Sequence, residues 1–266
     1  MPPPRNWKGW PGGKRFAFVM THDVDTGPGQ GRVRRLMELE RDFGFASSYN
    51  LVPERYEVSE DIRAMLSRHG FEVGVHDLKH DGKLYASEKA FKASAIRINR
   101  YLADWGSVGF RSGAMHHDLD LIHALDIEYD CSTFDFDPFE PQPDGVGTIF
   151  PFRVAPRGQG KGYVELPYTL PQDFTLFILM GARTIDVWKR KLDWVVENGG
   201  MALLITHPDY MNFDDRPIGP EEYSYRLYGE LLGYVKKRYA GEYWNALPKE
   251  VARFWVENMV ESLAPP

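Results

Sequence analysis

Short apolar runs and amphipathic stretches alternate along this chain, and few architectures accept that pattern. Phe16–Met20 is apolar at every position, as a strand covered on both faces must be. It leads into Thr21-His22-Asp23-Val24-Asp25 and a Gly/Pro loop reaching Gly31. The spacing of Leu36, Leu39 and Phe43 then predicts a helix over Val33–Phe43. Strands are expected at Ala46–Val52, Phe71–Val75, Val108–Phe110, Glu128–Cys131 and Met201–Thr206. Helices are expected at Glu60–His69, ended by Gly70, and from Ser87 to near Asp104, closed by Gly106. Others are expected at Leu119–Leu125, Ile185–Val196 and 220–239, the last with Tyr223, Leu227, Leu231 and Val235 on one face. Residues 134–172 read as a long Pro/Gly-rich excursion with short extended pieces such as Val164–Leu166.

Strands alternating with helices imply a parallel sheet. Six or seven such units within 266 residues fit one closed or partly closed barrel. Residues 1–15, with four Pro, three Gly and two Trp, read as a surface arm, leaving 16–266 as a single domain with terminal helices. A hydrophobic share of 43% supplies material for a sizeable core. A net charge of −6 argues against a nucleic-acid partner, which favours a basic excess. The single Cys131 excludes an internal disulfide and any multi-cysteine zinc site. No secretory-type apolar leader and no 18-residue apolar span are present, so a cytoplasmic protein without a membrane span is expected.

Parallel α/β folds build their sites at the carboxyl ends of strands. The ends of these strands carry His22, Asp23 and Asp25; His76, Asp77, His80 and Asp81; Arg111; Asp130, Asp135 and Asp137; and His207 and Asp209. The topology gathers these distant residues on one rim. His76 and His80, four apart, can face the same way on a helical turn and grip one ion. Asp25 is the natural third ligand, and two imidazoles with one carboxylate suit a catalytic divalent ion. Asp23 and Asp25, two apart in extended chain, point to the same side, so one can hold the ion while the other faces its water. Arg111 can pair with Asp23 and keep it ionised. His207 can act as the general acid for a leaving amine, with Asp135 or Asp137 hydrogen-bonded to it. Phe134, Phe136, Phe139 and Tyr168 are candidates to line a groove or to pack the excursion onto the barrel.

The set resembles the polysaccharide deacetylase superfamily, the NodB-homology domains of carbohydrate esterase family 4, over about residues 16–210. Thr21-His22-Asp23-Val24-Asp25 is similar to the family's Thr-Phe-Asp-Asp motif with one residue inserted between the acids. Glu72-Val73-Gly74-Val75-His76-Asp77-Leu78-Lys79-His80 resembles its metal-binding histidine motif. Phe110-Arg111-Ser112-Gly113 keeps the motif arginine, and Leu204-Ile205-Thr206-His207 matches the closing histidine. Two departures stand out. Ser112, Gly113 and Ala114 replace the usual Pro-Pro-Tyr/Phe after the arginine, and Asp130–Asp135 lacks the usual tryptophan.

The resemblance implies a distorted (β/α)7 barrel in which Asp23 is the base and Asp25, His76 and His80 bind Zn²⁺, or Co²⁺ or Ni²⁺. It implies an outlying branch whose metal and proton-transfer positions persist while substrate contacts have changed. The expected activity is metal-dependent removal of an N-acetyl or other acyl group from an amino sugar or sugar-containing substrate. The alternatives are hydrolysis of a non-sugar C–N bond, as in allantoinase-like enzymes, and carbohydrate binding without catalysis.

Overall fold

A computed structural model describes residues 3–140, 142–155, 161–214 and 216–259. The outer ends of the expected arm (1–2) and of the expected domain (260–266) lie outside the described residues. The chain begins with β1 (Phe16–Val24), α1 (Gly27–Phe43), β2 (Ser48–Leu51), α2 (Glu60–Arg68) and β3 (Glu72–His76). It continues through α3 (Glu88–Trp105), β4 (Gly109–Arg111), α4 (Leu119–Ile122), β5 (Tyr129–Asp130), β6 (Phe152–Val154) and β7 (Tyr163–Glu165). It ends with α5 (Asp186–Glu197), β8 (Met201–Thr206), β9 (Met211–Asn212), β10 (Tyr223–Ser224), α6 (Tyr225–Arg238), β11 (Tyr243–Asn245) and α7 (Pro248–Asn258).

Parallel pairing runs β8-β1-β2-β3-β4-β5-β7 and curls the sheet into the expected distorted barrel. Its two ends meet where the chain beyond β7 bridges Leu170 to Leu204 of β8 and Tyr168 to Phe134. There the Thr169 and Leu170 N–H groups both donate to the Leu203 carbonyl, so the seam has ladder-like bonds. β6 adds an antiparallel edge to β7. β1 and β8 are buried along their whole lengths, which explains their continuous apolar runs.

Four departures from the sequence expectation have physical causes. α1 starts at Gly27 rather than Val33, because Thr26 caps it by accepting from the Gly29 N–H and Pro28 is tolerated in a first turn. α6 starts at Tyr225, capped by Ser224, so Tyr223 lies in β10 instead of on the helix face. The arm's Trp10 is 3% exposed and donates to the Gly199 carbonyl, while Trp7 packs on Trp255 at 5.1 Å. Trp10 is thus part of the main core, with Trp7 packed against it, while the rest of the described arm stays at the surface. Most of the ring partners of these two residues, Trp244 of β11 and Phe254 and Trp255 of α7, come from two elements whose positions the sequence reading did not place. β11 pairs with Phe16–Phe18 of β1, below the point where β2 takes over the same edge. Asn245 fastens that junction through the Ala46 N–H and the carbonyls of Phe18 and Ala46.

Candidate active site

The strand ends bring Asp23, Asp25, His76, His80 and His207 around one cavity of about 280 Å³. Asp23 is the penultimate residue of β1 and Asp25 follows the strand; His76 ends β3 and His207 follows β8. One carboxylate oxygen of Asp25 and one ring nitrogen from each of His76 and His80 lie within 4.8 Å of one another. The Nε2 atoms of His76 and His80 stand 3.3 and 3.5 Å from Asp25 Oδ1. His76 Nδ1 lies 3.1 Å from the Arg111 carbonyl, which can only accept, so this contact places a proton on Nδ1. In the neutral ring, Nε2 is then left with its lone pair turned toward Asp25.

The histidine spacing is as expected, but the backbone is not a helical turn. His76 closes a strand, and Asp77 and His80 both adopt left-handed conformations, with φ of 53° and 52°. The loop, rather than a helix face, turns the second imidazole back over the first, 4.8 Å between ring centres. Gly113 permits this. A Cβ there would meet Asp77 Oδ2 at 2.5 Å and His80 Cδ2 at 3.0 Å. Burial and the adjacent His76 hold the His80 pKa below its ordinary value.

Asp25 Oδ1 is buried with no hydrogen-bond donor among the described residues. A buried carboxylate oxygen with no donor, facing the His76 lone pair and a second imidazole nitrogen, is costly unless a cation joins them. The donor set therefore fits a divalent ion with oxygen and nitrogen ligands. Asp209 fixes the Asp25 backbone, its Oδ2 accepting from the Asp25 N–H at 3.0 Å.

Asp23 is held from the other side. Its Oδ1 accepts from Asn50 Nδ2 at 2.8 Å and Arg111 at 3.0 Å, while Oδ2 lies 3.8 Å from His76 Nε2. Asn50 has room because its neighbour on β3 is Gly74, where a Cβ would fall 2.1 Å from Asn50 Oδ1. Burial raises the Asp23 pKa, but Arg111, His76, His207 and Asn50 together outweigh it and keep the carboxylate ionised. The Arg111–Asp23 contact expected from the sequence is present.

His207 corrects one expectation. Its Nδ1 lies 2.7 Å from Asp173 Oδ1, and its backbone N–H donates to Asp173 Oδ2 at 2.8 Å. The Tyr223 hydroxyl donates to the same Oδ2, also at 2.8 Å. The expected partners are elsewhere. Asp135 is ion-paired with Lys191, and Asp137 accepts from the Tyr168 hydroxyl. The backbone past β5 turns away after Phe134, whereas Asp173 lies just beyond the seam at Leu170, beside β8. Burial lowers the His207 pKa, but Asp173, Asp25 and Asp23 overcome this and raise it to about 10.

Asp173 went unread because it follows an isolated bridge rather than a strand; an acid three residues past the apolar Leu170 was the available signal. His22, grouped with the rim residues, points away from the cavity. It joins Glu40 at 2.8 Å and Thr206 at 2.7 Å in a buried structural network. Asp81 lies outside the cavity wall, and Asp130 is buried beside Glu165.

No family model matches the sequence, and no curated protein matches it. Solved structures match the fold: it is that of the polysaccharide deacetylases. A Mycobacterium smegmatis protein assigned as a polysaccharide deacetylase superposes with a TM-score of 0.74 at 19% identity, covering 100% of this chain and 99% of its own. The PuuE allantoinase gives 0.71 at 17%, covering 95% and 94%. A Pseudomonas aeruginosa PAO1 protein assigned as a polysaccharide deacetylase gives 0.69 at 17%, covering 93% of each chain. A Bacillus anthracis pseudoenzyme of family CE4 shares the fold at 0.53 and 12%, covering 90% of this chain and 66% of its own. At these identities the likeness is one of fold, and activity has to be argued from the site.

Proposed function

We propose that this chain is a metal-dependent hydrolase of the polysaccharide deacetylase superfamily that cleaves the N-acyl amide of an amino sugar or sugar-containing substrate. The observation that carries this reading is the buried, donorless Asp25 Oδ1 facing His76 and His80, with the ionised Asp23 alongside. Asp25, His76 and His80 would hold Zn²⁺, Co²⁺ or Ni²⁺. Such an ion supplies Lewis acidity, polarising the amide carbonyl and acidifying water at the cavity.

Asp23 takes the proton of the attacking water. Arg111 and Asn50 occupy its Oδ1, which leaves Oδ2 on the cavity side. His207, kept protonated by Asp173, donates to the departing amine. The amide C–N bond breaks, the acyl carbon gains the water oxygen, and the amine leaves with the proton from His207.

A second reading, hydrolysis of a non-sugar C–N bond, is favoured by the departures at Ser112–Ala114, since Ser112 and Ala114 line the cavity. The likeness to an allantoinase supports it nearly as well as the likeness to a deacetylase. Turnover of N-acetylated amino sugars, chitooligosaccharides and ureides, assayed with each metal and after chelation, separates the two. Amine release from the amino sugars, lost on chelation and restored by metal, supports the first; metal-dependent hydrolysis of ureides alone, read as loss of the ureide, supports the second.

A further inference from the structure

Of the seven exposed large hydrophobic side chains among the described residues, four gather together: Phe136, Phe139, Leu179 and Met180, at 73%, 55%, 57% and 52% exposed. They come from two segments only, the turn after β5 and the π-helical turn Phe174–Leu179 with its cap. Exposed hydrophobics scattered singly are ordinary, but a gathered set marks a contact surface. Phe139 and Leu179 line the reaction cavity. Phe136, Phe139 and Met180 line a second cavity of about 220 Å³. Phe139 and Thr175 belong to both walls, so the two spaces adjoin.

The second cavity is walled largely by side chains such as Pro171, Leu176 and Val187. Its polar groups engage one another. Asp137 accepts from the Phe139 N–H and the Tyr168 hydroxyl, each at 2.9 Å, and Asp135 is paired with Lys191. These contacts tie the Phe136–Phe139 turn to the barrel and to α5, leaving mainly apolar surface to be covered. The opposite wall is a π-helical turn, with Met180 N–H bonded to the Thr175 carbonyl five residues back. Such turns recur at functional sites. An apolar cavity of about 150 Å³ is enough for a benzene ring.

We propose that this second cavity is a subsite for an alkyl or aryl group carried by the substrate, beyond the amide that reaches Asp25, His76 and His80. The occupant is the substrate itself because the cavity shares a wall with the reaction site. The inference rests on the hydrolase reading and narrows its substrate class to an N-acyl compound bearing a hydrophobic group.

The test compares N-acetylglucosamine with its octyl β-glycoside, kept below the micelle concentration, in wild type and in a Phe136→Ser/Met180→Ser double variant. Both positions are more than half exposed, so their loss costs the fold little. Binding of octyl β-glucoside and methyl β-glucoside, which carry no amide, is measured by calorimetry in wild type, the double variant and His76→Ala. Wild type is expected to favour the octyl substrate in kcat/KM by at least about tenfold, and the double variant to lose most of that ratio. Octyl glucoside, not methyl glucoside, should bind wild type and His76→Ala alike and the double variant weakly. Equal kcat/KM for the two substrates, or a preference untouched by the double variant, overturns the proposal. If neither substrate turns over, the amino-sugar reading fails for both, the non-sugar reading stays with the ureide assay, and binding alone decides the subsite. Octyl-selective binding lost in the double variant then supports the subsite, and its absence removes it.

Discussion

The barrel buries two pairs of acids and treats them oppositely. Asp23 and Asp25 share their cavity with His76, His80 and His207, Arg111 backs Asp23 from within the barrel, and both carboxyl groups are held below the usual carboxylate range despite burial. Asp130 and Glu165, register partners on β5 and β7, have Ser132 and Thr133 as hydrogen-bond donors. Burial and each other's proximity raise the Glu165 pKa, so that pair retains a proton. Depth is common to both. The difference is the cationic or ion-binding company each keeps, and that is what separates an acid available for chemistry from one that packs a wall.

Removing a ligand tests the first pair most severely. His76→Ala is expected to lower kcat/KM by at least about 10³-fold even with added metal, measured on whichever substrate the panel identifies. Asp23→Asn should keep the metal and lower kcat by roughly 10²–10⁴-fold, and a variant that lost its metal instead would reassign Asp23 as a ligand.

Gly113→Ala presses on Asp77 and His80. A drop of roughly 10–100-fold in metal affinity is expected from competition with a chromophoric chelator, and unchanged affinity would show that His80 needs no such support. The His207 pair gives a pH signature. With its pKa at about 10, the imidazolium persists through neutral pH and is lost only as pH rises past that value. Asp173→Asn removes the raising charge, so the alkaline limb of kcat should move down by roughly 1–3 pH units. A limb that stays in place would separate His207 from the proton transfer.

The smallest effect belongs to the second pair. Glu165→Gln replaces a group able to hold its proton with a neutral one of similar shape. Activity should stay within about twofold and stability within about 1 kcal/mol, read by urea denaturation. A loss comparable to that of Asp23→Asn would erase the distinction between the pairs.

The residues that line the cavity, and the arginine behind them, are largely visible in the sequence. Each of Asp23, Asp25, His76, Arg111 and His207 follows or ends an apolar run, and parallel topology collects such positions. The four-residue spacing marks His80, but its left-handed loop conformation needs Gly113, 33 residues further along the chain, which no spacing or pattern links to it. Asp173 carries only a weak signal, an acid three residues past Leu170, because the seam there is a single bridge within an irregular stretch. Asp130 and Asp23 look alike as strand-end acids; only the three-dimensional neighbours, Glu165 for one and Arg111 for the other, tell them apart. β11 is not legible in the sequence because Tyr243–Asn245 is three residues long and pairs with the start of β1, far away in sequence.

The central claim is that Asp25, His76 and His80 bind one divalent ion. Elemental analysis of purified wild type, after incubation with Zn²⁺, Co²⁺ or Ni²⁺ and removal of the excess, tests it beside His76→Ala treated identically. The account predicts about one ion per wild-type chain and a loss in the variant. A wild type that holds none of the three, or a variant that keeps its ion, would contradict it.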